Sequence, residues 1–147
     1  MFWEDCDLNI SGRHLLAEYY ACDRTILNDA DQLENLLNLA AHAAGATIIQ
    51  SVFHRFSPQG ISGVVVVQES HLSIHTWPEH GYAAVDFYTC GKIEHLKAHE
   101  VLCKGLNAQR HETMIVERGG LSNAPPFCIK YHQTHEMPPT MPSKLEA

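Results

Sequence analysis

The segment Ile61–Gly91 is set apart in this chain by side chains that are suited to covalent or proton-transfer chemistry. It combines hydroxyl, carboxylate, imidazole and thiol groups with the apolar residues of ordinary β-strands. Nucleophiles, acids and bases of these types do chemistry only when they converge. The groups concerned belong to Ser62, Glu69, Ser70, His71, His75, Glu79 and Cys90.

Turn residues divide this segment into three strands, and the second turn predicts how the last two strands pair. A loop at Pro78–Gly81 places Trp77 opposite Tyr82. The same register brings Cys90 beside Ser70. Facing residues on antiparallel strands have Cβ atoms ~4.5–5.5 Å apart. We therefore predict that Ser70 and Cys90 form a polar pair.

A tight reversal at residues 68–69 predicts a second polar pair, Ser62 with His75. Side chains alternate between the two faces of a strand, so Ser70 and His75 point in opposite senses. Either a bulge re-aims one of them, or two copies of the chain supply one pair each. We favour a symmetric dimer in which the Ser70/Cys90 pair of one copy meets the Ser62/His75 pair of the other.

The Glu69–Ser70 peptide bond is the target that best suits these groups. A serine hydroxyl can attack the preceding carbonyl carbon and convert the peptide bond into an ester. Removal of the serine α-proton then expels the upstream carboxylate and leaves dehydroalanine, which rearranges and hydrolyses to a pyruvoyl group. This chemistry needs a hydroxyl donor near the oxyanion and a base near the α-carbon. Ser62 and His75 are of the right types if they reach Ser70.

Eleven histidines raise the alternative of a metal site. His95 and His99 are spaced i, i+4 on a predicted helix, and His71 and His75 lie close in sequence. Zinc takes four ligands, or three and an open position, and its usual short motifs are missing here. Charged neighbours make His95 and His99 typical of a solvated helix face. We therefore predict no metal.

Hydrophobic periodicity predicts the elements that surround the central segment. Further strands are expected at 13–20, 46–56 and 112–118. Mainly antiparallel strands with two amphipathic helices predict an α+β fold, a two-layer sandwich with both helices on one face of the sheet. Residues 1–11 and the Pro-rich tail after Gly120 show little periodicity, and we expect the end of the tail to be disordered.

The first helix has clear start and stop signals. Asp29 and Gln32 are spaced as a capping box, and Gly45 supplies the stop. A second helix is expected at 92–106. The predicted core positions are Leu33, Leu36, Leu37, Ala40, Ala41 and Ala44 in the first helix and Ile93, Leu96, Val101 and Leu102 in the second.

Composition bounds the class of protein. A chain of 147 residues suits one domain, and 45% hydrophobic with 18% charged residues is normal for a soluble globular protein. A net charge of −7 offers no basic surface for nucleic acid. No apolar run reaches the ~20 residues that span a bilayer, and the acidic N-terminus does not resemble a signal peptide. Five cysteines without repeated close spacing fit reduced thiols, so we expect a cytoplasmic protein.

The central segment also carries a specific resemblance. The stretch ESHLSIHTWPE at 69–79, followed after the next strand by Cys90, closely resembles the bacterial and archaeal S-adenosylmethionine decarboxylases. The GRHLL opening at 12–16 and the Cys-Asp at 22–23 are similar to that family too. The resemblance extends over residues 12–118.

This resemblance implies a single-domain proenzyme over residues 1–147 that cleaves itself. The chain would break after Glu69 into a β chain, 1–69, and an α chain, 70–147. Ser70 would become a pyruvoyl cofactor that binds the substrate amine covalently. The enzyme would decarboxylate S-adenosylmethionine to the aminopropyl donor for spermidine and other polyamines.

The resemblance also implies roles for five other residues. Ser62 and His75 would assist self-cleavage, with His75 accepting a proton. Cys90 would protonate the substrate α-carbon after carbon dioxide leaves, and a thiol of pKa ~8.5 is a serviceable donor. Phe56 would stack on the adenine with an energy of order ~1 kcal/mol, and Glu79 would hydrogen-bond the ribose.

Relatives of this kind build the active site at a homodimer interface. Ser70 and Cys90 would come from one subunit, and the processing and substrate-binding residues from its mate. Two alternatives remain. The same machinery would serve an arginine or ornithine decarboxylase, although Phe56 and Glu79 favour a nucleoside substrate. An uncleaved homologue would act instead as a regulatory partner, although no reactive residue is missing.

Overall fold

Seven strands form one antiparallel sheet in the computed structural model, which describes residues 12–90, 92–119 and 127–136. The strands are β1 (Gly12–Tyr20), β2 (Ile48–Arg55), β3 (Ile61–Val67), β4 (Ser70–Trp77), β5 (Tyr82–Cys90), β6 (Arg110–Arg118) and β7 (Phe127–Glu136). Their order across the sheet is β2-β3-β4-β5-β1-β6-β7. The central meander β3-β4-β5 therefore keeps the sequence order.

Two α-helices lie on one face of this sheet. Helix α1 (Ala30–Ala43) packs against β2 and β3, and α2 (His95–Gly105) packs against α1 and β1. Short 3-10 turns at Ile26–Asn28 and Pro78–His80 complete the described elements. None of the helices that the structure describes is long and apolar enough to cross a membrane. The predicted two-layer α+β sandwich is confirmed.

The core lies between the helices and the sheet. Strand alternation puts every second residue of β3, β4 and β5 into it, and α1 adds its apolar stripe. Residues with no exposed surface include Leu15, Leu33, Leu37, Val65, Leu72, Ile74, Phe87 and Leu102. The other sheet surface, which we call the open face, carries the side chains of alternate sense. No described element covers it, and its members include His14, Ser62, His71, Ser73, His75 and Asp86.

The signals predicted for α1 are confirmed. The Asp29 carboxylate accepts a hydrogen bond from the Gln32 backbone N–H at 3.0 Å and another from its side chain at 2.8 Å. Gly45 follows the helix with a φ of +86°, a left-handed conformation that suits glycine. Every predicted core position of α1 is buried except Leu36, which is partly buried and packs against the core. Side-chain capping and helical periodicity depend on residues close in sequence, and they were sufficient to predict the start, the end and the buried face of α1.

Two predictions for α2 were wrong, and one strand in the C-terminal tail was not predicted. Helix α2 begins at His95 rather than at residue 92, and Leu96 is 43% exposed. The tail shows little periodicity in sequence, yet β7 pairs with β6 over Phe127–Glu136. Residues 1–11 and 137–147, where irregular chain was expected, lie outside the described residues.

His95 and His99 are buried, not solvated as predicted. Their exposed fractions are 3% and 7%. His95 Nε2 lies 3.1 Å from the Arg13 carbonyl oxygen and 2.9 Å from the Thr89 hydroxyl. His99 Nδ1 lies 2.7 Å from the Tyr19 hydroxyl. Each imidazole has a partner in the core, and this satisfies the polar atoms that burial would otherwise leave without water.

Burial lowers the pKa of His99 from 6.5 to about 4, with repulsion from His111 adding to the effect. The unfolded chain therefore binds one more proton than the folded chain between these values. The stability from the neutral imidazole is present above pH 6.5 and is lost as the pH falls toward 4. At about 1.4 kcal/mol per pKa unit, a shift of this size corresponds to roughly 3 kcal/mol of stability.

We expect the free energy of unfolding to decrease between about pH 7 and about pH 5, and His99 to supply much of that decrease. The double variant Tyr19→Phe/His99→Leu replaces both partners by apolar side chains, so its unfolding free energy should depend less on pH. His42→Leu, at an exposed position of α1, is the matched control and should keep the wild-type slope. Urea unfolding at several pH values measures this. If the unfolding free energy of the double variant depends on pH as strongly as that of the wild type, His99 is not a source of the pH dependence.

Candidate active site

The predicted pairing of Ser62 with His75 is confirmed. Strands β3 and β4 pair in the register that sets these two residues opposite each other. Their side chains meet on the open face, where Ser62 Oγ lies 2.8 Å from His75 Nδ1. A hydroxyl beside an imidazole can pass a proton in either direction, as acid–base chemistry requires.

A pocket of about 330 Å³ adjoins this pair. Four of the residues singled out in the sequence line it together: Phe56, Ser62, His75 and Glu79. The Phe56 ring is 48% exposed, so its face is available for stacking. The lining of the pocket thus includes an aromatic ring, a carboxylate and a hydroxyl–imidazole pair.

Sequence reasoning missed two other residues of this pocket. The Trp77 ring stacks on Tyr82 with centroids 5.2 Å apart and is 41% exposed. Thr76 is buried, and its hydroxyl donates to the Leu27 carbonyl at 2.7 Å and accepts from the Ile61 N–H at 2.9 Å. Thr76 therefore fixes the floor of the pocket to the 3-10 turn beside it. The position of Trp77 at the end of β4, two residues before Glu79, could have indicated from the sequence that it lies at the pocket.

The Glu69–Ser70 bond lies in the tight turn between β3 and β4, as predicted. Glu69 has a φ of +69°, in the left-handed region that costs a non-glycine residue roughly 1–2 kcal/mol. The Ser70 hydroxyl contacts the Glu69 carbonyl oxygen. The nucleophile and the carbonyl group that it would attack are thus in contact within the folded chain.

Ser70 and His75 do not meet within one chain. They stand five positions apart on the same regular strand, which separates them by about 17 Å at about 3.4 Å per residue. Ser70 shares the sense of the buried Leu72 and Ile74, whereas His75 belongs to the open face. Strand β4 has no register shift against β3 or β5, so no bulge re-aims either residue.

The register predicted for β4 and β5 is also confirmed, since Trp77 faces Tyr82. The described ladder ends at His71 opposite Tyr88, just before Ser70. Cys90 is the last residue of β5, and its backbone pairs with Gly12 of β1. The side chain of Cys90 lies outside the described part of the structure. Its pairing with Ser70 therefore stays a prediction.

Next to the turn at residues 68–69, the open face holds a hydrogen-bonded cluster that was not predicted from the sequence. The Asp86 Oδ2 atom lies 2.6 Å from His14 Nε2 and 3.1 Å from His71 Nε2. The Ser73 hydroxyl donates to the other carboxylate oxygen. We call these four residues the Asp86 cluster. The register that aligns Trp77 with Tyr82 also aligns Ser73 with Asp86. The contact between these two residues could therefore have been predicted from the same register.

The charge state of this cluster follows from its contacts. Burial opposes ionisation of Asp86, but the hydrogen bonds from His14, Ser73 and His71 outweigh it and hold the pKa of the carboxyl well below its usual range. Asp86 is therefore an anion that receives three hydrogen bonds at neutral pH.

The ligand atoms of His14, His71 and Asp86 lie within 4.8 Å of one another, a spacing compatible with a metal ion. However, Arg118 Nη1 lies 3.3 Å from His14 Nδ1. A guanidinium only donates, so Nδ1 accepts and the proton of a neutral His14 sits on Nε2. That nitrogen then donates to Asp86 and has no lone pair for a metal. The contacts favour a hydrogen-bonding role.

The S-adenosylmethionine decarboxylase family model matches residues 13–119 of this chain. The S-adenosylmethionine decarboxylase proenzyme of Thermotoga maritima is 54% identical over 109 residues, which make up 74% of this chain and 84% of the relative. The S-adenosylmethionine decarboxylase proenzyme 1 of Bacillus cereus is 48% identical over 128 residues, 86% of this chain and 95% of the relative.

Solved structures agree with these matches. The adenosylmethionine decarboxylase of Aquifex aeolicus superposes with a TM-score of 0.69 at 37% identity, covering 78% of this chain and 95% of that one. A Trypanosoma brucei AdoMetDC monomer shares the fold, with a TM-score of 0.55 at 15% identity over 71% of this chain and 45% of that one. With a family model over most of its length and relatives about half identical in sequence, the chain belongs to the S-adenosylmethionine decarboxylase family.

Proposed function

We propose that this chain is a self-cleaving proenzyme whose mature form decarboxylates S-adenosylmethionine. The product is the aminopropyl donor for spermidine and other polyamines. The observation that carries the proposal is the contact of the Ser70 hydroxyl with the Glu69 carbonyl, in a turn where Glu69 is left-handed. Five cysteines without repeated close spacing fit reduced thiols, and this supports a cytoplasmic location.

Self-cleavage begins with attack of Ser70 Oγ on the Glu69 carbonyl carbon. The peptide C–N bond breaks as the new C–O bond forms, and the product is an ester. A base then takes the Ser70 α-proton, the Glu69 carboxylate leaves, and hydrolysis of the dehydroalanine releases ammonia. The result is a β chain, 1–69, and an α chain, 70–147, that begins with a pyruvoyl group.

Two copies of the chain are needed to assemble this site. The Ser62/His75 pair supplies the hydroxyl and the base, but it lies about 17 Å along β4 from Ser70 of its own chain. A symmetric homodimer removes this conflict, because each copy offers its pair to the Ser70 of the other. The Ser62/His75 pair lies on the open face, which no element among the described residues covers, so a second copy can reach the pair. Ser70 and Cys90 then come from one subunit and the pocket from its mate.

The pocket supports a nucleoside-containing substrate. Phe56 would stack on the adenine, and its ring would also attract the sulfonium cation. Glu79, which lines the same pocket, would accept hydrogen bonds from the ribose hydroxyls. When present, the pyruvoyl group supplies a carbonyl that takes up the electrons released as carbon dioxide leaves. Cys90 would then donate the proton that completes the product.

The release of carbon dioxide from each substrate class tests this assignment. We expect turnover of S-adenosylmethionine and none of arginine or ornithine, and no finding favours these two amino acids. Phe56→Ala should raise KM for S-adenosylmethionine by roughly 5- to 10-fold, as the loss of about 1 kcal/mol of stacking implies. Turnover of arginine or ornithine with none of S-adenosylmethionine would overturn the assignment.

A further inference from the structure

The proposed cleavage changes how Ser70 is held, and this has a consequence for the mature site. In the intact chain, the turn at residues 68–69 restrains Ser70 covalently. After the break that restraint is lost, and Ser70 becomes a chain terminus. Its strand pairing is then one-sided, because Ser70 pairs with Val67 of β3, whereas the described ladder to β5 starts at His71.

His71 is therefore the first residue of the new chain that is held from both sides. Its backbone pairs with Val66 and with Tyr88. Its side chain reaches across to β5, where Nε2 lies 3.1 Å from Asp86 Oδ2. Both ends of this hydrogen bond belong to the 70–147 fragment, so cleavage leaves it intact.

The rest of the cluster holds Asp86 in place. His14 of β1 donates to the same carboxylate oxygen at 2.6 Å, and Ser73 donates to the other oxygen. Arg118 of β6 in turn contacts His14 Nδ1 at 3.3 Å. His14 lies in the 1–69 fragment, so the cluster also joins the two products of cleavage. Three donors on one partly buried carboxylate leave it little freedom to move.

We propose that His71 and Asp86 are positioning residues that fix the new terminus at Ser70 for decarboxylation. They contribute little to self-cleavage, because the intact turn already holds Ser70 at that stage. A reacting group displaced by about 1 Å can lose on the order of 100-fold in rate. Loss of their hydrogen bond should therefore lower kcat. It should leave KM nearly unchanged, because the substrate pocket lies at the other end of β4. This inference rests on the proposed function.

The test compares two replacements of His71. His71→Leu removes the hydrogen bond to Asp86, whereas His71→Gln keeps an N–H donor at the position of Nε2. We expect His71→Leu to self-cleave within roughly threefold of the wild-type rate and to turn over at least about 10-fold more slowly, with KM changed less than about threefold. His71→Gln should recover most of the lost kcat. His42→Leu, at an exposed position far along the chain, is the matched control and should behave as wild type.

Asp86→Asn supplies an independent check, because it puts an amide N–H where one histidine donates. It should lower kcat as His71→Leu does, and the double variant should be no slower than the slower single variant, since both changes disrupt the same His71–Asp86 contact. If leucine at position 71 prevents folding, His71→Asn, whose side chain is too short to reach Asp86, takes its place with the same expectation.

Three results would overturn the inference. They are wild-type turnover in His71→Leu, an equal loss of cleavage and turnover, and a His71→Gln variant as slow as His71→Leu. Failure of the proposed function has a different signature, because the wild-type chain itself would then neither cleave nor release carbon dioxide from S-adenosylmethionine.

Discussion

Replacing Ser70 by alanine should leave one uncleaved chain of 16.5 kDa with no measurable decarboxylase activity. Alanine has no hydroxyl to attack the Glu69 carbonyl, so neither the ester nor the pyruvoyl group forms. The fold should survive, because Ser70 is a half-exposed residue at the start of β4. Gel electrophoresis of purified protein and release of carbon dioxide from S-adenosylmethionine measure the two effects.

Ser51→Ala is the matched control for this variant. Ser51 lies on β2, where its hydroxyl donates to Asn38 at 2.9 Å. The Ser51→Ala variant should cleave itself as the wild type does. Two fragments in a Ser70→Ala preparation would show that the chain breaks elsewhere. Activity in the uncleaved variant would show that decarboxylation does not need the new terminus.

His75→Ala should stall maturation in a homodimer and be rescued by a chain that carries Ser70→Ala. The second expected effect follows from the separation of Ser70 and His75 on β4. In a mixed dimer, one site receives Ser70 from the His75→Ala chain and Ser62 with His75 from the Ser70→Ala chain, so it is complete. The other site lacks both groups. Co-expression at equal levels should therefore restore about a quarter of the wild-type sites, since random pairing makes half of the dimers mixed.

Two affinity tags allow the mixed dimers to be isolated and their chains analysed by mass. In them, only the His75→Ala chain should be cleaved, and each single variant expressed alone supplies the control. Cleavage restricted to the Ser70→Ala chain is chemically impossible in this scheme. No cleavage at all in isolated mixed dimers would instead place His75 and Ser70 of the same chain in one site, against the geometry of β4.

Register arithmetic predicted the strand pairing on both sides of β4 because hairpin turns are local. Once the turns at 68–69 and 78–81 are recognised, the opposition of Ser62 to His75 and of Trp77 to Tyr82 follows from counting residues. The same counting exposed the conflict between Ser70 and His75, which the regular β4 retains. Local capping likewise specified α1 through Asp29 and Gln32.

Contacts between elements distant in sequence could not be predicted in this way. His99 bonds Tyr19, 80 positions away, and this contact turns an apparently solvated histidine into a buried one. His14 reaches Asp86 across 72 positions because β1 inserts beside β5 in the sheet order. Strand order depends on the whole fold, and the sequence pattern of β1 does not indicate that this strand lies beside β5. The second helix was misjudged for the same reason, since its polar residues find partners in the sheet.

The mass spectrum of the freshly purified, denatured wild-type protein tests the central claim most directly. The account predicts two fragments, 1–69 ending in a free carboxylate at Glu69 and 70–147 beginning with a pyruvoyl group and therefore lacking a free amine. Borohydride treatment should add two hydrogens to the second fragment. A folded protein that releases carbon dioxide from S-adenosylmethionine while its spectrum shows one intact chain, with an ordinary serine at position 70, would contradict the account.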